Sequence, residues 1–150
     1  MLRDKINDEV KAAMKARDER RVSTLRMANA AFKNAEIEAE RGGKTLTEED
    51  VLGILQKMIK QRQESVEIYD KGARKELADQ ERAEIEIIQQ FLPQQMAEAE
   101  AKAAIAEVIK QEGATSVKDM GKVMAALKLG YAGKMDFGKA SGLVKSLLAG

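Results

Sequence analysis

The sequence predicts an all-α protein, and three features carry that prediction. Apolar residues make up 44% of the 150 residues, yet the chain holds only three Phe, two Tyr and no Trp. A core of Leu, Ile, Val, Met and Ala suits helices better than sheets. A single proline is also typical of a helical chain. We expect an N-terminal four-helix hairpin or bundle domain over residues 1–92 and a small three-helix C-terminal domain over residues 93–150.

The first two helices are predicted from apolar residues that share one helix face. The first helix is expected over about residues 2–17, where a stripe recurs at every fourth position: Leu2, Ile6, Val10 and Met14. The second helix is expected over about residues 21–41. It should end at Gly42-Gly43, because glycine accepts the left-handed conformation that helix ends need.

A capping pattern starts the third helix and a glycine ends it. Thr47 is followed three positions later by Asp50, the spacing at which each side chain can bond the other residue's backbone. Helical apolar spacing continues to about Lys71, so this helix should be roughly 35 Å long. Gly72 is expected to break it. The fourth helix then presents its own apolar residues: Leu77, Ile85, Ile88 and Phe91.

Leu92-Pro93 marks the expected domain boundary, because proline removes a backbone donor and pushes its predecessor out of helical geometry. Three shorter helices are predicted after it, over about residues 97–111, 117–128 and 137–149. Ser116 with Asp119 should cap the middle helix of these three, and Asp136 should cap the last.

Missing residue types exclude several kinds of chemistry. The chain has no histidine and no cysteine, which rules out disulfides, zinc sites and Ser–His or Cys–His nucleophile pairs. It also has no apolar run of about 18 residues, and its first residues lack the apolar core of a signal peptide. We therefore expect a cytoplasmic protein with no metal, no cofactor and no membrane partner.

Charged clusters in the first domain favour structural roles. Six charged residues surround the predicted first turn: Arg17, Asp18, Glu19, Arg20, Arg21 and Arg26. Surface ion pairing between these arginines and the two acids is the expected arrangement. Glu36, Glu38 and Glu40 form an acidic cluster, but a di-metal helical bundle needs Glu-x-x-His partners. A solvated helix end explains that cluster better.

The C-terminal third is basic although the whole chain is nearly neutral. Residues 1–92 hold 18 basic and 19 acidic side chains, whereas residues 113–150 hold six lysines and two aspartates. Helix glycines beside lysines would bare a strip of backbone that a phosphate chain or another helix could approach. An ordinary lysine-rich surface is the alternative. The candidate nucleic-acid-binding residues are Lys118, Lys122, Lys134, Lys139, Gly142 and Lys145.

The loop before the last predicted helix contains two glycines that are separated by two residues, and a lysine follows the second glycine. The segment from Gly130 to Lys134 lacks the glycine spacing of a phosphate-binding loop, the Ser or Thr after the lysine and the preceding strand. A plain interhelical loop is therefore expected here.

Three segments resemble motifs of the GatB/YqeY family: Phe91-Leu92-Pro93-Gln94-Gln95, Asp119-Met120-Gly121-Lys122-Val123-Met124 and Lys139-Ala140-Ser141-Gly142-Leu143-Val144-Lys145. Leu25-Arg26-Met27 and the stretch from Lys57 to Lys71 match as well, so the resemblance covers essentially the whole chain. It implies a four-helix part followed by a three-helix part. In the B subunit of the glutamine-dependent aminoacyl-tRNA amidotransferase, a similar unit is a helical appendage that grips tRNA.

The resemblance also implies a link to carbon–nitrogen ligase activity with glutamine as amido-N-donor. Transamidation needs an ammonia source, ATP activation and a metal-assisted phosphoryl step, and no nucleotide-binding loop or amidase signature is visible. We therefore predict a non-catalytic tRNA-binding module with no catalytic residues, in which Lys122, Lys139 and Lys145 are carried over as contacts. A protein-interaction module that uses the N-terminal helices is the alternative, and an enzyme that acts alone is the third hypothesis.

Overall fold

The computed structural model describes residues 1–149, which form seven α-helices, one 3-10 turn and no strand. The all-α prediction is confirmed. The chain divides into two compact units, Met1–Pro93 and Gln94–Gly150. The elements, in chain order, are α1 Leu2–Lys15, α2 Glu19–Arg41, α3 Glu48–Lys71, α4 Lys75–Gln89, α5 Glu98–Gln111, the 3-10 turn Val117–Asp119, α6 Met120–Gly130 and α7 Phe137–Ala149.

Apolar side chains from all four helices of the first unit meet in one core. Its largest fully buried members are Phe32, Ile6, Leu25, Leu55 and Ile88. Burying each such side chain contributes roughly 1.5–3 kcal/mol, so this core is the main source of stability in the unit. The stripe predicted on α1 is only partly correct, because Met14 is 52% exposed while Ala13 is buried.

The turn between α1 and α2 lies two residues earlier than predicted. Arg17 adopts the left-handed conformation with φ 57°, so α1 ends at Lys15 and not at residue 17. Asp18 then caps α2: its Oδ1 accepts a hydrogen bond of 3.1 Å from the backbone N–H of Arg21. The cap explains why α2 begins at Glu19, two residues earlier than predicted.

The predicted capping box of α3 is present. The Asp50 N–H donates to Thr47 Oγ1 at 3.1 Å, and the Thr47 N–H donates to Asp50 Oδ2 at 2.9 Å. Gly43 has φ 70°, the left-handed conformation expected after α2. Gly72 ends α3 with an ordinary φ of −86°, and the left-handed residue is instead Ala73, with φ 56°.

A buried ion pair joins α3 to α4. Arg62 Nε lies 3.0 Å from Glu84 Oε2, and Glu84 is only 6% exposed. Arg62 Nη1 also donates to the carbonyl of Met58 at 3.2 Å, and the Glu81 carboxylate lies 4.0 Å from Arg62 Nε. Burial and the nearby Glu84 charge raise the pKa of Glu81. This network holds the two helices in one register.

The second unit packs α5, α6 and α7 around a smaller core. Its buried members include Ile105, Val123, Leu127 and Val144. Residues 117–119 form a 3-10 turn, where an α-helix was predicted, and this leaves Val117 43% exposed. In neither unit is any helix within residues 1–149 both long and apolar enough to cross a membrane.

Candidate nucleic-acid interface

Backbone hydrogen bonds to Asp119 fix the start of α6. The Asp119 Oδ2 accepts from the N–H groups of Thr115 at 2.9 Å and Ser116 at 3.4 Å. These two bonds, helped by the charge of Lys122, hold the pKa of Asp119 below its usual value. The carboxylate therefore stays ionised at neutral pH and remains the acceptor of both hydrogen bonds. Lys118 and Lys122 are both exposed at this end of α6.

Asp136 caps α7 as predicted. Its Oδ1 accepts from the N–H of Gly138 at 2.8 Å and from the N–H of Lys139 at 3.3 Å. Buried Val144 anchors the opposite face of the helix, so that Lys139 and Lys145 are exposed. At about 100° per residue these two lysines lie on either side of the exposed helix face.

The two exposed glycines of α7 differ in their surroundings. A Cβ on Gly138 would lie 3.1 Å from Asp136 Oδ1, so the cap itself limits this position to a small residue. A Cβ on Gly142 would have no heavy atom within 4 Å. Packing thus gives no reason for a glycine at position 142, in a helix interior where glycine costs about 1 kcal/mol relative to alanine. Gly142 therefore leaves an open strip of backbone between Lys139 and Lys145.

Lys134 is held by its backbone in the loop between α6 and α7. Its carbonyl accepts from the Met96 N–H at 2.8 Å, and its own N–H donates to the Tyr131 carbonyl at 3.0 Å. The Gln95 side-chain amide donates to the neighbouring carbonyl of Gly133. The Lys134 side chain is exposed. As predicted, this segment joins two helices, and no strand precedes it.

The candidate residues fall into two groups along the second unit. Lys118 and Lys122 lie at the start of α6, whereas Lys134 and Lys139 lie near its far end, where the chain turns into α7. Eleven helical residues at 1.5 Å each separate the two groups by roughly 16 Å. Lys145 lies almost two turns further along α7. Among the described residues, the candidate cations are therefore spread along the second unit and do not converge at one point.

The five candidate lysines differ from several arginines of the first unit in having no ion-pair partner within residues 1–149. In the described part of the chain, no ion pair involves the five candidate lysines. In the first unit, by contrast, Arg3, Arg62 and Arg82 each pair with a carboxylate at 2.5–3.0 Å. The positive charge of the second unit is thus available to an external anion.

The interpretation of the arginines around Arg17 as ion-paired is wrong for three of the four. Arg21 does form a pair, with Glu9 at 2.9 Å, but its partner is neither of the acids expected. Arg17, Arg20 and Arg26 have no ion pair among residues 1–149. The charge count over residues 11–26, six basic against two acidic, was the signal that could have shown this excess.

The acidic cluster on α2 takes part in surface pairs. Glu36 lies 2.5 Å from Arg3 Nη1 and 3.5 Å from Lys33 Nζ. The hydrogen bond from Arg3 and the charges of Arg3 and Lys33 lower the pKa of Glu36. Within residues 1–149, no group of three or more acidic side chains converges in the way that a metal ion requires.

Comparison with known proteins gives similarity to a set of yeast proteins. The chain is 37% identical over 97 residues to the Lachancea thermotolerans protein "Altered inheritance of mitochondria protein 41, mitochondrial", a match that covers 65% of this chain and 51% of that protein. The protein of the same name from Vanderwaltozyma polyspora is 30% identical over 122 residues, 77% of this chain and 64% of its own length. The chain thus spans between half and two thirds of these relatives.

The family match extends further than these pairwise matches. The model of the family described as "Yqey-like protein" matches residues 3–148, which include all seven helices almost completely. The match also spans the segments from Phe91 to Gln95, Asp119 to Met124 and Lys139 to Lys145, on which the resemblance rested. The chain therefore belongs to the YqeY-like family.

Proposed function

We propose that this protein is a non-catalytic accessory module that binds tRNA through its second unit. The observation that carries the proposal is the set of exposed lysines on the 3-10 turn, α6, α7 and their loop, none of which has an ion-pair partner in the described chain. Each lysine that neutralises a phosphate releases counterions, which is the main source of affinity for nucleic acids. Resemblance to the tRNA-gripping tail of the amidotransferase B subunit supports tRNA as the polyanion.

The proposal assigns no chemistry to the chain itself. The sequence has no histidine and no cysteine, and several of its carboxylates serve as helix caps or ion-pair partners. A link to carbon–nitrogen ligase activity would then run through a separate catalytic subunit. We also propose that the protein acts in the cytoplasm, whereas the names of the yeast relatives say that those proteins are mitochondrial. Imaging of a fluorescently tagged chain in its own cell tests the location.

Binding of unfractionated tRNA at several salt concentrations tests the RNA proposal. With four or five phosphate contacts, a plot of log affinity against log salt should have a slope of about −3 to −4. Replacing Lys122, Lys139 and Lys145 with Glu should weaken binding and flatten the slope, with unchanged helix content. If this tail variant binds tRNA as well as the parent, the lysines of the second unit are not the contact surface.

Gly142→Ala separates close backbone approach from charge. The substitution keeps every lysine and fills open space, and alanine in a helix interior should stabilise the unit by about 1 kcal/mol. The variant should therefore melt at a higher temperature. If a phosphate chain lies against this strip, the variant should also bind tRNA less tightly. Tighter or equal binding would place the RNA elsewhere on the unit.

Protein interaction is the second candidate function, and one observation favours it. On either side of the turn between α3 and α4, Ile68 near the end of α3 is 68% exposed and Leu77 in the first turn of α4 is 37% exposed. Apolar side chains that are exposed to this extent near a hairpin turn are typical of a contact with another protein. An unchanged affinity of the tail variant for tRNA would make this candidate the leading one.

A further inference from the structure

We infer that the corner where α1 meets α2 is a second surface for RNA phosphates, formed by Lys11, Lys15, Arg17, Arg20 and Arg26 and called here the α1–α2 corner. The inference rests on the proposed function, since it names a further contact for the same class of ligand. It concerns the first unit, to which the RNA proposal assigns no role.

Positive charge is concentrated at this corner, whereas the rest of the unit carries a net negative charge. Residues 11–26 hold six basic and two acidic side chains, whereas the remainder of residues 1–92 holds twelve basic and seventeen acidic ones. A local excess of one sign on a surface of the other sign attracts and orients a charged partner. The net charge of the whole first unit is close to zero and therefore does not reveal this local positive excess.

The acids nearest the corner are already occupied or do not pair. The carboxylate of Asp18 caps α2, and Glu9 holds Arg21, which also donates to the Gln90 side chain at 2.7 Å. Glu19 forms no ion pair in the described chain. Arg21 is therefore a structural residue. The five corner cations are mostly exposed and have no carboxylate partner among residues 1–149.

The side chains at the corner suit a nucleic-acid backbone. Three of the five cations are arginines, whose planar guanidinium forks match phosphate oxygens better than an ammonium group does. Arg26 Nη2 lies 3.6 Å from the sulfur of Met14, which is 52% exposed. The corner thus combines guanidinium groups with a soft apolar thioether that can pack against a ribose or a base.

The backbone at Arg17 gives independent support. Its φ of 57° belongs to the left-handed region, which glycine adopts freely and other residues rarely adopt. Local stability alone would favour glycine at this turn, so the turn itself does not account for a charged side chain at this position. Ala73 has nearly the same φ, 56°, and carries no charge, which makes it a matched control.

Titration of unfractionated tRNA with the full chain tests the inference. The corner variant combines Lys15→Gln, Arg17→Gly and Arg26→Gln. The control variant makes the same change in net charge at exposed, unpaired lysines outside the corner: Lys44→Gln, Lys57→Gln and Lys71→Gln. The corner variant should reduce the log–log salt slope by about two and the affinity at 0.1 M salt by on the order of 100-fold, and the control by far less.

Two single substitutions keep the test independent of folding. Arg17→Gly should raise the melting temperature and at the same time reduce the salt slope by about one. Ala73→Gly should raise the melting temperature by a similar amount and leave tRNA binding unchanged. A loss of affinity in Arg17→Gly without a loss of stability cannot come from unfolding.

Each outcome separates this inference from the RNA proposal. If the corner variant binds like its control while the Lys122, Lys139 and Lys145 variant is weakened, the corner is not a contact surface and the proposal for the second unit stands. If the corner variant alone is weakened, the corner is the contact surface and the second unit is not. If the parent protein binds no tRNA, both are overturned.

Discussion

Removing the Glu84 carboxylate should destabilise the first unit strongly. The variant Glu84→Ala leaves the Arg62 guanidinium, whose side chain is only 12% exposed, without its closest counter-charge. Breaking a buried ion pair costs about 3–5 kcal/mol, because one charge stays buried and unpaired. Glu81 at 4.0 Å and the Met58 carbonyl at 3.2 Å offer partial compensation. We therefore expect a loss of about 2–3 kcal/mol.

Thermal unfolding followed by far-ultraviolet circular dichroism measures this loss. For a unit of this size, 2–3 kcal/mol corresponds to a fall in Tm of roughly 10–20 °C. The control is Arg82→Gln, which removes surface ion pairs with Asp70 and Asp79. All three side chains are 46–54% exposed, so this loss should cost at most about 1 kcal/mol. An equal fall in both variants would show that burial adds nothing to the Arg62 pair.

A double variant covers the case in which Glu84→Ala does not fold. Arg62→Met with Glu84→Leu replaces both charges by apolar side chains and should recover most of the lost stability, because neither group then remains buried without its partner. A double variant as unstable as the single one would mean that the site needs its charges for packing geometry, contrary to this reasoning.

Two further predictions concern the partly buried Glu81 and the fully buried Thr24 of the same unit. Because burial and Glu84 raise the pKa of Glu81, its ionisation opposes folding, and stability from this group falls as the pH rises through that pKa. Glu81→Gln should thus raise the Tm at pH 7 and lose this advantage below the ordinary pKa of 4.5; a pH-independent difference would contradict the assignment. Thr24 is fully buried, and its Oγ1 has no hydrogen-bond partner in the described chain. Thr24→Val should therefore stabilise the fold by about 1 kcal/mol, and a lower Tm would show that the hydroxyl is bonded.

Local sequence signals predicted the helices and most of their caps. The roles of Thr47, Asp119 and Asp136 follow from the spacing between a capping side chain and the backbone donors that it accepts from. The stripe on α1 was less accurate for a geometric reason. A step of four residues turns about 400°, so each step drifts by about 40° and the third brings Met14 toward the helix edge. Ala13 fills the core position instead.

Interactions between distant residues could not be predicted in this way. Arg62 and Glu84 are 22 residues apart, and they meet only because the α3–α4 turn sets the register of the two helices. That turn places the left-handed conformation at Ala73 and not at the preceding Gly72. A shift of one residue would rotate Glu84 by about 100° away from Arg62, so the pair depends on a turn that the glycine signal located only approximately.

Whether a charge is neutralised within the fold decides which cations are available to an external phosphate, and a count of charges along the sequence does not show this. Arg3, Arg21 and Arg62 are all held by carboxylates within 3.0 Å, so their charges are used inside the first unit. Displacing such a carboxylate would cost part of what a phosphate contact gains, whereas an unpaired cation pays no such cost. The lysines of the second unit and the α1–α2 corner are the cations that meet this condition together with a local excess of positive charge. If both surfaces contact phosphates, each contact releases its own counterions. Their contributions to the salt dependence should therefore add, and a variant that lacks both sets of cations should show almost none.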